Sequence, residues 1–120
     1  MDRDSAVRLF ESLASGVRLD MYRLLVRRGP EGATAGEIAR AFGLAANNAS
    51  FHLKAMTHAE LVSVTAEGRF QRYRARFEVM NALIAYLTAE CCDHQPERCV
   101  PHYPSTPCSF PLTHPVDPEP

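Results

Sequence analysis

No apolar run in this chain of 120 residues approaches the roughly 18 residues that a transmembrane helix needs, so a membrane-spanning role is not expected. The amino-terminal Met1-Asp2-Arg3-Asp4 is charged and has no apolar stretch behind it. It does not read as a secretory leader, and the expected compartment is the cytoplasm, where thiols stay reduced. There is no internal repeat. There is also no glycine-rich loop that could cradle a phosphate, and no nucleophile paired with a base, so an enzyme is not expected. Cysteine is missing from the first 90 residues, and a single proline, Pro30, precedes Gln95.

What is present is unevenly distributed. The formal net charge is −1, which taken alone argues against a nucleic-acid partner. Residues 1–76 carry 12 basic and 8 acidic side chains (+4), whereas residues 77–120 carry 1 basic and 6 acidic (−5). The near-neutral total is therefore a cancellation between a basic portion and an acidic one. All four cysteines (Cys91, Cys92, Cys99, Cys108) and eight of the nine prolines fall in the acidic portion. Proline lacks a backbone donor and fixes φ, so so dense a run cannot be helix or central strand. The expected organisation is a folded domain over residues 1–92 and a Cys/Pro-rich tail over residues 93–120.

Hydrophobic spacing gives the order of elements within the domain. Val7, Phe10, Leu13 and Ala14 are spaced for a helix, interrupted at Gly16. Val17, Met21, Leu24 and Leu25 form the stripe of a second helix, ended by Gly29-Pro30. Thr34-Ala35-Gly36-Glu37 has capping-box form and opens a short helix with Ile38, Ala39 and Phe42 inward, stopped at Gly43. A longer helix runs from about Ala45 to Ala59, with Ala49, Leu53 and Met56 on one face. The period then changes to two. Leu61 to Thr65 and Phe70 to Phe77 read as strands around a Glu67-Gly68 turn. In the second strand Tyr73, Ala75 and Phe77 share one face and Arg72, Arg74 and Arg76 the other. A last helix starts near Glu78 with Met80, Leu83, Ile84 and Leu87 in register. The fold class expected is mainly α with a β-hairpin wing, a winged helix-turn-helix, which is an architecture for binding double-stranded DNA.

In that architecture the helix after Gly43-Leu44 enters the major groove. Its candidate readers are Asn47, Asn48, Ser50, Phe51 and His52, with Lys54 suited to phosphate. A solvated polar helix face would have the same composition. The adjacent hairpin adds Arg69, Arg72 and Arg74, a basic ribbon suited to the DNA backbone, although charges also protect exposed strands from aggregation.

The stretch Leu44-Ala-Ala-Asn-Asn-Ala-Ser-Phe-His-Leu-Lys-Ala-Met-Thr-His-Ala-Glu-Leu-Val62 resembles the recognition-helix signature of the ArsR/SmtB metalloregulators. Leu13-Ala-Ser-Gly-Val-Arg-Leu19 resembles their second-helix entry, and Gly68-Arg-Phe-Gln-Arg-Tyr-Arg74 resembles their wing. Two positions depart from the pattern: Glu60 stands where the family usually has glycine, and Ala45 where a capping serine is common. The resemblance implies a homodimer built on the first and last helices, repressing transcription from operator DNA until an ion binds.

The segment Thr34 to Gly43, where family members often place thiolates, has neither Cys nor His. The soft ligands are instead in Glu90-Cys-Cys-Asp-His-Gln-Pro-Glu-Arg-Cys99. Adjacent helical residues point about 100° apart, so Cys91 and Cys92 share an ion only if the helix frays there. Six residues later Cys99 can return as a third thiolate. Three sulfurs without an obligatory fourth ligand suit As(III) or Sb(III) as inducer, whereas zinc prefers a closed tetrahedron. Some arsenic-responsive relatives resembled here carry their thiols at this end of the chain. Taken singly, Cys91 reads as a small buried apolar residue continuing the Met80, Ile84, Leu87 stripe, and Cys108 reads as a spare thiol. Two other readings stay open. Asp93, His94, His102 and His114 could complete a divalent site for Zn, Cd or Pb, or a disulfide from Cys91 or Cys92 to Cys99 could make a redox switch.

Overall fold

A computed structural model describes residues 1–95 and Arg98. The element order is α1 (Arg3–Leu13), α2 (Gly16–Arg28), a 3₁₀ turn (Gly29–Glu31), β1 (Ala33–Thr34), α3 (Ala35–Phe42), α4 (Ala46–His58), β2 (Val62–Glu67), β3 (Phe70–Ala75), α5 (Phe77–Thr88) and a second 3₁₀ turn (Cys91–His94). Asp2–Val79 forms one compact unit, and the described residues from Met80 onward belong to another. The winged helix-turn-helix expected from the periodicity is the fold observed.

Local chemistry sets most of the boundaries in the first unit. Ser15, not Gly16, separates α1 from α2: its hydroxyl accepts from the Arg18 amide at 3.3 Å, and Gly16 is already helical. The capping box of α3 is complete, with Thr34 N donating to Glu37 Oε1 at 2.9 Å and Glu37 N donating to Thr34 Oγ1 at 3.2 Å. The hydrogen bond from the Thr34 amide, helped by the nearby Arg28 charge, holds the Glu37 carboxyl below its ordinary pKa. Gly43 closes α3 in the left-handed region, and Ala45 begins α4 without a side-chain cap.

The core joins the helix-turn-helix to the sheet. Met21 and Leu25 of α2, Ile38 of α3, Leu53 and Met56 of α4, and Leu61 and Val62 at the start of β2 are fully buried, each such side chain contributing about 1.5–3 kcal/mol. The α4 face drawn from sequence, Ala49, Leu53 and Met56, is the buried one. The sheet has three strands in the order β1-β3-β2, all antiparallel. The hairpin pairs Val62 with Ala75 and Glu67 with Phe70. Its two-residue turn has Gly68 first at positive φ, the position where primed hairpin turns use glycine.

Several details differ from the periodicity. In α1 the buried residues are Ala6, Leu9 and Ser12, while Val7 and Phe10 are 45% and 44% exposed. Both sets have helical spacing, and the one that faces α2 and α4 is the one buried. In α2, Tyr22 replaces Leu24 on the buried face. β3 ends at Ala75, so Phe77 is the first residue of α5 and is exposed, not a strand residue beside Tyr73. β1, a two-residue strand beside β3, has no sequence signal because two residues cannot show a period.

Glu60 has φ 68, the left-handed conformation that glycine adopts freely. A non-glycine residue is disfavoured there by about 1–2 kcal/mol. Part of that is returned by the stiffer unfolded chain and by an exposed ion pair to Arg76 at 3.9 Å. Glu60→Gly is therefore expected to raise stability by about 0.5 kcal/mol, seen as a Tm increase of about 2–4 °C in thermal unfolding.

In the second unit α5 stops at Thr88, whose hydroxyl donates back to the Ile84 carbonyl at 2.8 Å. Leu83 is buried, Met80 and Ile84 are half-buried, and Leu87 is 55% exposed. The regular helix thus ends four residues before Cys92, the position at which a fray would let the two cysteines share an ion. Among the described residues no helix is long and apolar enough to cross a membrane.

Candidate nucleic-acid interface and thiol pair

The helix-turn-helix presents α4 with one face buried through Ala49, Leu53 and Met56. The opposite face carries Asn47, Asn48, Phe51 and Lys54, all exposed. Phe51 is 66% exposed, a large apolar surface to leave in water, with its ring edge-on to His52 at 5.4 Å. Ser50 and His52 are half-buried. His52 is turned towards α2, where Arg18 Nη1 lies 3.2 Å from its Nδ1. If Arg18 donates, as an always-charged guanidinium must, Nδ1 is the acceptor and Nε2 carries the proton.

Arg18 is the residue that reading the sequence for base contacts passed over. Its Nε donates to the Ser12 carbonyl at the end of α1 while its Nη1 holds His52. One guanidinium thus ties the α1 terminus to the recognition helix. The signal was present: Arg18 falls at i relative to Met21, Tyr22 and Leu25, a charged residue on the buried stripe of α2.

The three wing arginines are not equivalent. Arg69 is exposed at the hairpin turn and makes no ion pair among the described residues. Arg72 Nε donates to Glu67 Oε1 at 2.9 Å and its Nη1 donates to the Glu31 carbonyl at 2.9 Å. The Glu67 hydrogen bond raises the Arg72 pKa further above its already high ordinary value. Arg74 Nε donates to the Pro30 carbonyl at 2.7 Å and its Nη1 to Thr65 Oγ1 at 3.3 Å, with Glu67 Oε2 at 3.8 Å. Arg72 and Arg74 therefore fasten the hairpin to the Gly29–Glu31 turn. Arg76, just past the end of β3, pairs with Glu78 at 3.0 Å.

Beyond α5, Glu90, Cys92, Asp93 and His94 all have positive φ, an accumulation of disfavoured backbone conformations in a short non-glycine segment. Leaving helical geometry brings adjacent cysteines together: Cys91 Sγ lies 3.8 Å from Cys92 Sγ. Two sulfurs each about 2.3 Å from one tetrahedral centre would stand at a comparable separation, so the pair fits joint ligation of a soft ion. Desolvation, with the neighbouring Cys92 thiol, pushes the Cys91 thiol above its ordinary pKa. Among the described residues no group of three or more Cys, His, Asp or Glu is arranged to hold a metal ion. Cys99, Cys108, His102 and His114 lie outside the described residues.

Comparison with known proteins gives a consistent picture. Residues 13–65 match a family model described as a helix-turn-helix domain. A fragment of a possible transcriptional regulatory protein from Mycobacterium bovis, known from a crystal structure, is 32% identical, covering 70% of this chain and 87% of that one with a TM-score of 0.59. The solution structure of a homodimeric winged helix-turn-helix DNA-binding domain from the same organism, a possible ArsR-family transcriptional regulator, is 30% identical, covering 77% and 85% with a TM-score of 0.58. An ArsR-like transcriptional regulator from Rhodococcus sp. RHA1, 20% identical over 85% of this chain and 93% of that one, shares the fold at a TM-score of 0.66. No match is found among curated proteins. With its capped helix-turn-helix, basic hairpin and this degree of identity, the chain belongs to the ArsR family of winged helix-turn-helix transcriptional regulators.

Proposed function

We propose that the chain acts as a homodimeric repressor bound to operator DNA, released when trivalent arsenic or antimony is held by Cys91, Cys92 and Cys99. The DNA reading is supported by α4, whose exposed Asn47, Asn48 and Phe51 suit base edges and a thymine methyl. Lys54 and Arg69 suit phosphates. His52 and Ser50, half-buried, are placed to adjust rather than lead. The dimer is supported by the homodimeric relative and by the exposed Val7 and Phe10 of α1, an apolar surface suited to burial against a second copy.

The observation that carries the sensing half is the 3.8 Å separation of the Cys91 and Cys92 sulfurs just past the end of α5. Cys99 is proposed as the third ligand from its spacing. Condensation of three thiols with arsenous acid yields three waters and no net proton. A divalent ion would instead displace thiol protons, so proton release on binding separates the two kinds of inducer. Ligation at the end of α5 would bias the dimer against DNA, and a coupling of about 1–3 kcal/mol would suffice. Fluorescence anisotropy of labelled operator with and without arsenite tests the reading; unchanged affinity overturns it.

The division among the wing arginines gives a second check. Arg69→Gln should reduce the slope of log K against log [salt] by about 1 without altering the melting temperature. Arg72→Gln should lower the melting temperature of the free chain, because it removes the bonds to Glu67 and to the Glu31 carbonyl.

A further inference from the structure

Between α1 and α4, within the Asp2–Val79 unit, lies an open cleft of about 560 Å³, in the size range of small-molecule sites. Arg8, Arg18 and Lys54 line it against one carboxylate, Glu11, giving a local charge of +2, and Phe51 supplies apolar surface. Ser12 also lines it. That residue is 7% exposed, and its hydroxyl is buried without a hydrogen-bond partner among the described residues. Such a group destabilises a fold unless something supplies the partner. Arg18 is already committed to the Ser12 carbonyl and to His52, so it contributes its charge to the cleft rather than a new bond. Arg8, whose Nη2 donates to the exposed Ser5 Oγ at 3.3 Å, and Lys54 line the cleft from different helices.

We propose that this cleft is an oxyanion site, in which Arg8 and Lys54 hold a phosphate or carboxylate and a turn of the Ser12 side chain brings its hydroxyl onto the same anion. The anion has two sources. One is a free small molecule with an apolar body resting on Phe51. The other is a phosphodiester of DNA lying alongside α4, a source that rests on the DNA reading above. Phe51 and Lys54 belong to both surfaces, so a free anion in the cleft competes with DNA.

Two arms distinguish the sources. In the first, the whole chain without DNA is titrated calorimetrically with inorganic phosphate and, separately, with benzoate. Saturable binding is expected, weakened about tenfold or more by Arg8→Gln and partly restored by Arg8→Lys. Ser12→Ala should weaken the same binding several-fold while raising the melting temperature, an opposition that a merely structural serine does not produce. In the second arm, binding to a duplex of arbitrary sequence is followed against salt. Arg8→Gln lowers the slope by about 1 if the anion is a DNA phosphate. Saturable binding in the first arm identifies a free anion, and a slope change alone identifies the phosphodiester. No saturable binding together with an unchanged slope overturns the site. If the chain fails to bind duplex DNA at all, the DNA reading fails, and the first arm still decides the cleft.

Discussion

Arsenite added to the protein–operator complex should lower operator affinity by about 5- to 150-fold, the range set by a coupling free energy of about 1–3 kcal/mol. Cys91→Ser and Cys92→Ser should each leave the affinity close to its value without arsenite. A serine hydroxyl is a hard donor and does not replace a soft thiolate, while both positions are half-buried just past the end of α5 and lie outside the core. Cys99→Ser should behave in the same way if it supplies the third sulfur, and Cys108→Ser should keep the full response. Loss of response in Cys108→Ser with retention in Cys99→Ser would reassign the third ligand. The physical basis is local: α5 ends at Thr88, and the backbone beyond it leaves helical geometry far enough to set adjacent sulfurs 3.8 Å apart. In a continued helix the two side chains would diverge and the pair could not share one ion.

The largest expected effect on stability is at Gly32. This buried residue has φ 57 and ψ −150, a region open essentially to glycine alone. A β-carbon built there would collide with the Tyr73 carbonyl oxygen of β3 and meet the Arg74 side chain at 2.7 Å. Backbone conformation and collision act together, so neither a rotamer change nor a small shift of one side chain relieves the clash. Gly32→Ala should destabilise the chain by roughly 3–5 kcal/mol, from backbone strain of about 1–3 plus overpacking of similar size. The melting temperature should fall by roughly 15–30 °C. Gly36→Ala is the matched control. Gly36 lies inside α3, and its added β-carbon would meet only the end of Arg40, at an ordinary 3.5 Å. That change should stabilise by about 0.5–1 kcal/mol through helix propensity. Equal effects of the two substitutions would show that the close approach of the Gly29–Glu31 turn to β3 is not what the fold depends on.

Gly32 also marks where sequence reasoning stops. Gly29-Pro30-Glu31-Gly32 reads as a helix end, which it is, but nothing local says that β3 passes against it. The same unseen neighbour determines Arg72 and Arg74. Alternation places both on the outer face of their strand correctly. Whether that face meets water, DNA or another segment depends on a turn about forty residues away, and the carbonyls of Pro30 and Glu31 prove to be there. The helix-turn-helix is the opposite case. The Thr34–Glu37 box, the glycine stop at Gly43 and the Ala49, Leu53, Met56 stripe are all short-range, and each appears as read. The departure at Glu60 was likewise legible, because a position that usually takes glycine is one that needs positive φ.

In α1, two apolar sets share helical spacing, Ala6 with Leu9 and Val7 with Phe10, and periodicity alone does not rank them. Packing against α2 and α4 buries the first and leaves the second on the surface. Sequence alone therefore determined the class of fold, the reading helix and the concentration of sulfur beyond residue 90, because caps, periods and composition act over a few residues. Tertiary structure decided which face of α1 is free, which wing arginines are already bonded, and that Arg8, Ser12 and Lys54 line one cleft. Those outcomes are set by contacts between segments distant in the chain, whose approach no local pattern encodes.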